Sequence, residues 1–584
     1  MYKELKSTLK LESEDLAHGL DRRRFLGGVG GLTIGGLSLD SLAPNRLAGA
    51  LPALAAKGRA TAGGTATAGD RRAEAAYKIR VDAAETERRL GIPDHPTNGD
   101  EDRYATHIGN FTKTLPHNEL GEADPAAYKA LREALATGDF KAIDAVQKGG
   151  RVGYQDPTGG FAFSLYGPDP AAIAAVAPPP IASPEYATQL AEMYWMALLR
   201  DVPFSDYETS LLVRQACEDL SRLSGNPGPR DPKTGKVTPQ TLFRARYPGA
   251  TDGPVVSQFL MRRFRYDGIP IDPKISTSQP GVDYLTSVSE WLEAQNGFPK
   301  TSPAPEQRDP TLRYIRNGRD LAALAGQDQI YSLYFRALLV LGGIPGMKTS
   351  ASNPYLQCNR QVAFTSFGVA HLAELLGGVQ VAHQAFYIKW NVHRYLRPEA
   401  GAGLTHFRKT GRRDYPIHDD LLKSPALDLV FEANRKKNRD RLQLDQGSYL
   451  LSQAASFGCP THPSFVSVHA TIAGACITLL KAWYDESLPF PDPVQPNADG
   501  TELIPYTPGK DGPPLTIGGE LNKLCGNITF GRNILGVHYR ADSEEGNRVG
   551  EECMLRALAE RKPTFPMPFT SFDLTRFDGR KAAI

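Results

Sequence analysis

Apolar residues recur at three- and four-residue spacing in segment after segment of this chain, and long alternating strand-like runs are nearly absent. Residues 183–201 (SPEYATQLAEMYWMALLRD) show the pattern, with a Ser-Pro start suited to a helix N-terminus. The same periodicity predicts helices over 207–223, 281–294, 320–341, 361–376 and 542–560. Pro/Gly-rich loops separate them, notably at 225–239, 298–310 and 490–514, and no repeat of fixed period is present. Such a chain must bury its apolar stripes helix on helix. The expected fold class is mostly α, one large domain of packed helical bundles.

Charge narrows the function classes. Lys+Arg of 67 against Asp+Glu of 65 leaves a formal charge of +2 across 584 residues, with a pI near 8.1. That balance does not suggest a nucleic-acid partner. The longest apolar stretch of the C-terminal third, HATIAGACITLLKAW at 469–483, is too short for a membrane span and reads as a buried core helix. Six cysteines form no C-x-x-C pair, which argues against a zinc site; disulfides and buried free thiols both remain open.

The N-terminus has the order of an export signal. Asp21-Arg22-Arg23-Arg24-Phe25-Leu26 fits a twin-arginine pattern, a glycine-rich apolar run follows to Leu42, and Ala53-Leu54-Ala55 suits signal cleavage. A disordered basic arm is the alternative. The expected organisation is an export signal at 1–55, a flexible linker at 56–75 and a helical domain at 76–584.

Three basic stretches stand out in a chain of near-zero net charge: KWNVHRYLRP at 389–398, PTHPSFVSVHA at 460–470 and GRNILGVHYRAD at 531–542. Together they offer Lys389, Arg397, Ser467, His469, Arg532 and His538, a set suited to a tetrahedral oxyanion. Lys389 and Arg397 lie eight positions apart, so one helix would turn both to one side, with Pro398 limiting its continuation. An amphipathic helix with solvated basic residues would look the same. The second stretch reads as a loop entering a helix, with Ser467 and the Val468 N–H at the positive dipole end. In the third, Asp542 either pairs with His538 at i, i+4 or caps the helix that follows.

Taken together and in order, these residues resemble the vanadium-dependent haloperoxidases, whose oxyanion site is shared with a superfamily of lipid and acid phosphatases. The seven residues between Lys389 and Arg397, PTHPS followed by S-x-H, and NIxxGRNxxGVHYRxD resemble the algal bromoperoxidase branch and its bacterial relatives. So do NFTKTLPHN (110–118), VSQFL (256–260), EWLEAQNG (290–297) and YIRNGRDLA (314–322), so the likeness spans nearly the whole chain beyond residue 76.

The resemblance implies vanadate as cofactor, with His538 its axial ligand. It implies that Lys389, Arg397, Ser467, Arg532 and the Val468 N–H hold the oxygens, with the oxyanion site inside 389–542. His469 would shuttle protons, Lys389 would also polarise peroxide, and His462 would tune halide handling. Asp328 would support the site from a helix. Hydrogen peroxide, halide and a small electron-rich organic molecule, terpenoid or naphthoquinone in type, are the implied substrates. A homo-oligomer is implied too. The chain departs from the family at one turn: P-S-G-H becomes Val466-Ser467-Val468-His469. A branched side chain is expected either to crowd the anion or to forbid a backbone angle that glycine allows. Ala325-Gly326-Gln327-Asp328 also stands where algal relatives carry a histidine near the aspartate, so a remodelled halide pocket is expected.

Three other readings fit the same residues. One is a vanadate-independent relative that rearranges an α-hydroxyketone by acid–base catalysis. Another is a phosphatase in which His538 attacks phosphorus and His469 protonates the leaving group. The last is a non-catalytic oxyanion binder.

Overall fold

Polar caps and prolines start the helices at positions the sequence marks. The computed structural model describes residues 67–584 apart from 226–227, 379 and 509–511. Ser183 accepts from the Tyr186 N–H at the start of α1 (Pro184–Leu198), and Asn317 from the Asp320 N–H at the start of α2 (Gly318–Gln327). Pro398 opens α3 (Pro398–Lys409), where its missing N–H costs nothing. Ser467 caps α4 (Val468–Trp483) through the Ala470 N–H, and Thr516 caps α5 (Ile517–Leu535) through the Gly519 N–H. Tyr539 precedes α6 (Arg540–Arg561), and its N–H donates to Asp542 Oδ2 at 3.1 Å.

Residues 77–584 form one compact unit whose centre is α4 and α5. Every residue of α5 is buried, as is every residue of α4 except His469. Helices buried all round belong at the middle of a large helical core. α4 packs against both α5 and α6. Close approach to α6 requires glycine: a Cβ on Gly550 would overlap the Thr471 carbonyl oxygen, and one on Gly474 would overlap that of Asn547. This contact sets the Ser467 turn against the first turn of α6. Among the described residues, three antiparallel two-stranded hairpins, registered Phe264↔Ile271, Val494↔Pro505 and Asp573↔Ala583, decorate the helices. The mostly-α expectation holds.

Several element boundaries differ from the sequence reading. The segment read as one helix over 320–341 is two, α2 and Ser332–Gly342, broken at 328–331. Over 281–294 only Val288–Gln295 is helical, because Gly281 and Leu285 take positive φ and Tyr284 bridges to Gln453. Over 361–376 the helix is Val369–Gly378, after Phe367 at φ 57°. The expected single helix through Lys389 and Arg397 does not form. A π-helix, Ile388–His393, ends at Arg394 with φ 42°, and the chain is extended at Arg397. Proline disfavours helical backbone in the residue before it, so Pro398 starts a helix rather than ending one.

The twin-arginine pattern and cleavage site lie outside the described residues. Within the stretch read as linker, a helix at Ala68–Leu90 has already begun; Thr67 and Asp70 cap it reciprocally, and ion pairs such as Lys78–Asp82 support it. None of its residues is buried. Among the described residues, no helix is long and apolar enough to cross a membrane. All six cysteines are free thiols, and only Cys358 is exposed.

Candidate oxyanion site

Three chain segments meet at the N-terminus of α4. Lys389, at the second position of the π-helix, sends Nζ to the carbonyl oxygens of Pro463 and Ser464 at 2.7 and 2.6 Å. Arg397, in the extended residue before α3, donates Nε to the His462 carbonyl at 2.7 Å and Nη1 to the Val537 carbonyl at 2.8 Å. Arg532, in the last turn of α5, donates Nη1 to the Ala325 carbonyl at 2.9 Å, and its buried Nε has no partner. Two carboxylates, Asp542 and Asp328, reach the same region: Asp542 lies on His538 and Asp328 on His469. Burial and the neighbouring arginine push the Lys389 amine well down, while Asp542 opposes that shift.

His538 is held in a defined tautomer. Its Nδ1 lies 2.9 Å from Asp542 Oδ2, and its Nε2 lies 3.3 Å from Arg397 Nη1. A guanidinium only donates, so Nε2 carries a lone pair and Nδ1 the proton. Burial, then Arg397, Lys389 and Arg532, hold this imidazole well below its usual range, and therefore neutral. Asp542 Oδ2 also accepts from the Ser464 hydroxyl and the Tyr539 N–H. Asp542 thus orients His538 and caps α6 at once; the two sequence alternatives are both realised.

His469 Nε2 lies 3.1 Å from Asp328 Oδ1, which fixes the proton on Nε2 and leaves Nδ1 as acceptor. Asp328 stands at the end of α2, where the predicted long helix breaks. His462 packs its Nδ1 2.7 Å from Arg397 Nη2, and burial followed by Arg397 and Lys389 pushes it well down. Ser467, Val468 and His469 open α4, where the first N–H groups have no intrahelical acceptor. Val468 has right-handed helical backbone and packs its side chain in the core. Its position requires no angle reserved for glycine.

The donor set fits a multiply charged oxyanion and not a bare cation. It comprises three basic side chains, a helix-start N–H, a serine hydroxyl, an orphaned Arg532 Nε and a neutral imidazole whose Nε2 lone pair lies 3.3 Å from Arg397 Nη1. Among the described residues, no cluster of three or more His, Cys, Asp or Glu could hold a metal ion by itself. Lys389, Arg397, Ser467, Arg532, His538 and His462 are therefore buried together, with the partly buried His469 beside them. Two further features support the site without a local sequence signature: the Ser464 hydroxyl on Asp542, and the buried Lys113–Glu399 ion pair behind the 457–464 loop.

Comparison with known proteins decides the family. A vanadium-dependent bromoperoxidase of Ascophyllum nodosum is 37% identical over 524 residues, 87% of this chain and 91% of that protein. The chain belongs to the vanadium-dependent bromoperoxidase family. A Corallina pilulifera bromoperoxidase is 31% identical over 597 residues, 87% of this chain and 98% of its own length. Among solved structures, the homohexameric second vanadate-dependent bromoperoxidase of A. nodosum superposes with a TM-score of 0.83 at 33% identity, covering 94% of each chain. No protein-family model matches. The bromoperoxidase likeness read from the three motifs is thus met along most of the chain.

Proposed function

We propose that this chain oxidises halide with hydrogen peroxide and halogenates an electron-rich organic molecule. Vanadate would be held among Lys389, Arg397, Arg532, Ser467, the Val468 N–H and His538. The observation that carries this reading is the His538 tautomer: Asp542 keeps the proton on Nδ1, so Nε2 faces the cation cluster as a ligand. Vanadate, when bound, supplies a Lewis acid that activates peroxide without changing oxidation state.

The protein's own residues supply the rest. Lys389, Arg397 and Arg532 concentrate positive charge where water is excluded, so their attraction for an oxyanion is strong. The carbonyls of His462, Pro463, Ser464, Val537 and Ala325 fix those cations before any ligand arrives. His469 has its Nε2–H held by Asp328, and Nδ1 takes and returns the proton that peroxide chemistry releases. His462, whose Nδ1 lies 2.7 Å from Arg397 Nη2, would tune halide handling. Bromide is the favoured halide, because the relatives are bromoperoxidases. A homo-oligomer is supported by the hexameric neighbour, and export through the twin-arginine route by the Arg22-Arg23 start.

Calorimetric titration of EDTA-treated protein with orthovanadate in phosphate-free buffer tests the reading, followed by peroxide- and bromide-dependent bromination of monochlorodimedone. Stoichiometric binding that is lost in His538→Ala, with bromination requiring vanadate, supports it. Turnover of an organic substrate in metal-free buffer without bromination would replace it with acid–base chemistry in the same pocket.

A further inference from the structure

The π-helix that carries Lys389 also lines a second, polar cavity of about 330 Å³, bounded on its other side by residues 95–102. Its walls hold hydrogen-bonding groups with nothing to bond. His95 Nε2 lies 2.9 Å from the Ala171 carbonyl and must carry the proton, so the buried Nδ1 is an acceptor, and it has no partner. Asn98 Oδ1 accepts the Asp100 N–H at 3.0 Å, which leaves its buried Nδ2 as an unused donor. Asn391 Oδ1 is a second buried acceptor without a donor. His393 is 7% exposed, and its ring meets Phe465 edge-on at 4.9 Å. Buried polar groups are nearly always satisfied, so several orphans around one cavity call for water or a ligand that carries both donors and acceptors.

The charged groups of the cavity are already neutralised. Arg394 clasps Glu101 with Nε at 2.7 Å, and Arg132 Nη1 lies 2.9 Å from Asp102. An ionic ligand would have to break these pairs. The free valences are a mixture of donors and acceptors. Hydroxyl groups suit such a set, because each donates and accepts. The Tyr387 ring, 5.3 Å from that of His95, and Val392 give the cavity an apolar flank. The volume lies at the small end of ligand pockets.

We propose that this cavity binds a neutral polyhydroxylated ring of monosaccharide size, with its hydroxyls on His95, Asn98, Asn391 and His393 and its apolar face towards Tyr387. The site is separate from the oxyanion centre, and its occupancy does not depend on halide oxidation.

Saturation-transfer NMR on the full chain tests this with methyl glycosides of glucose, galactose, mannose and fucose, alongside glucuronate and glucosamine as charged controls. The expected result is saturable binding of at least one neutral glycoside in the millimolar range, at least about tenfold tighter than the charged sugars. Asn98→Asp keeps the Asp100 cap but replaces the donor with charge, and should weaken binding at least about tenfold. His393→Phe keeps the contact with Phe465 and removes both ring nitrogens, with the same expected loss. Should His393→Phe not fold, Asn98→Asp still decides. The proposal is overturned if no neutral glycoside gives a saturable signal, if charged sugars bind equally well, or if Asn98→Asp binds as the wild type does. Any of these would leave a solvent-filled hollow.

Discussion

Lys113 and Glu399 form a buried ion pair, Nζ to Oε1 at 2.7 Å, directly behind the loop that supplies carbonyls to Lys389 and Arg397. The Lys113 ammonium also donates to the carbonyls of Cys459 and Phe457 at 2.7 and 3.1 Å, so all three of its protons are used. Glu399 Oε2 accepts the Cys459 N–H at 2.7 Å, while two residues earlier Arg397 holds the His462 carbonyl. One short segment therefore grips the loop at two points.

Breaking this pair should be costly. Lys113→Met leaves a buried carboxylate without its cation, and a loss of about 3–5 kcal/mol in urea unfolding is expected. Lys113→Met/Glu399→Gln, which leaves no stranded charge, should recover part of that loss. Both variants should bind orthovanadate more weakly than wild type in calorimetry, because the 462–464 carbonyls lose their anchor. A single variant as stable as wild type would show that the pair does not hold the loop.

Asp542 governs which nitrogen of His538 faces the cations. Asp542→Asn keeps the shape but offers an amide where three donors now converge on Oδ2. Groups that orient a metal-ligating histidine typically contribute 10–100-fold to affinity or activity. A fall of about that size in vanadate affinity is expected, with the urea midpoint changed much less. Equal vanadate affinity in Asp542→Asn would remove the tautomer argument.

His117 links stability to pH. Its Nδ1 lies 2.8 Å from the Leu115 carbonyl and its Nε2 3.0 Å from Thr112 Oγ1, and burial pushes its pKa down to about 4. The unfolded chain takes up this proton near pH 6.5, so between the two values the unfolded state binds more protons. The stability that His117 contributes is therefore complete above about pH 6.5 and is lost as pH falls towards 4, amounting to about 3 kcal/mol. Urea midpoints at pH 7 and pH 5 should differ less in His117→Gln than in wild type. Equal differences in the two proteins would assign the acid sensitivity elsewhere.

What could be read from sequence was what local chemistry dictates. The Ser467 cap and the small, apolar run behind it specify α4 wherever they occur, and the structure forms that helix where it was expected. The 389–397 stretch has helical spacing, yet Pro398 fits equally the end of one helix and the start of the next, and the structure uses it as a start. The break after Gln327 was invisible because the apolar spacing continues across it; the carboxylate it exposes, Asp328, finds His469 only in three dimensions. Lys113 and Glu399 were unreadable for the same reason. Nothing in NFTKTLPHN or in RPE indicates that the lysine of one and the glutamate of the other share a buried contact.

Val468 is the sharpest departure from the family's motif, and its position makes an unusual prediction. Glycine there would offer conformational freedom, but the residue occupies the first turn of α4 with backbone that any amino acid adopts. The isopropyl group lies in the hydrophobic core at 9% exposure, so its burial contributes to stability. Val468→Gly restores the residue found in the family and should nevertheless destabilise the protein, by about 2–3 kcal/mol, the transfer value of a buried valine. Because the N–H proposed to meet the anion is unchanged, vanadate affinity should move by less than about threefold. Thermal unfolding and vanadate calorimetry on the same variant measure both quantities. A large gain in affinity would mean that the valine side chain, and not the backbone, limits access to the site.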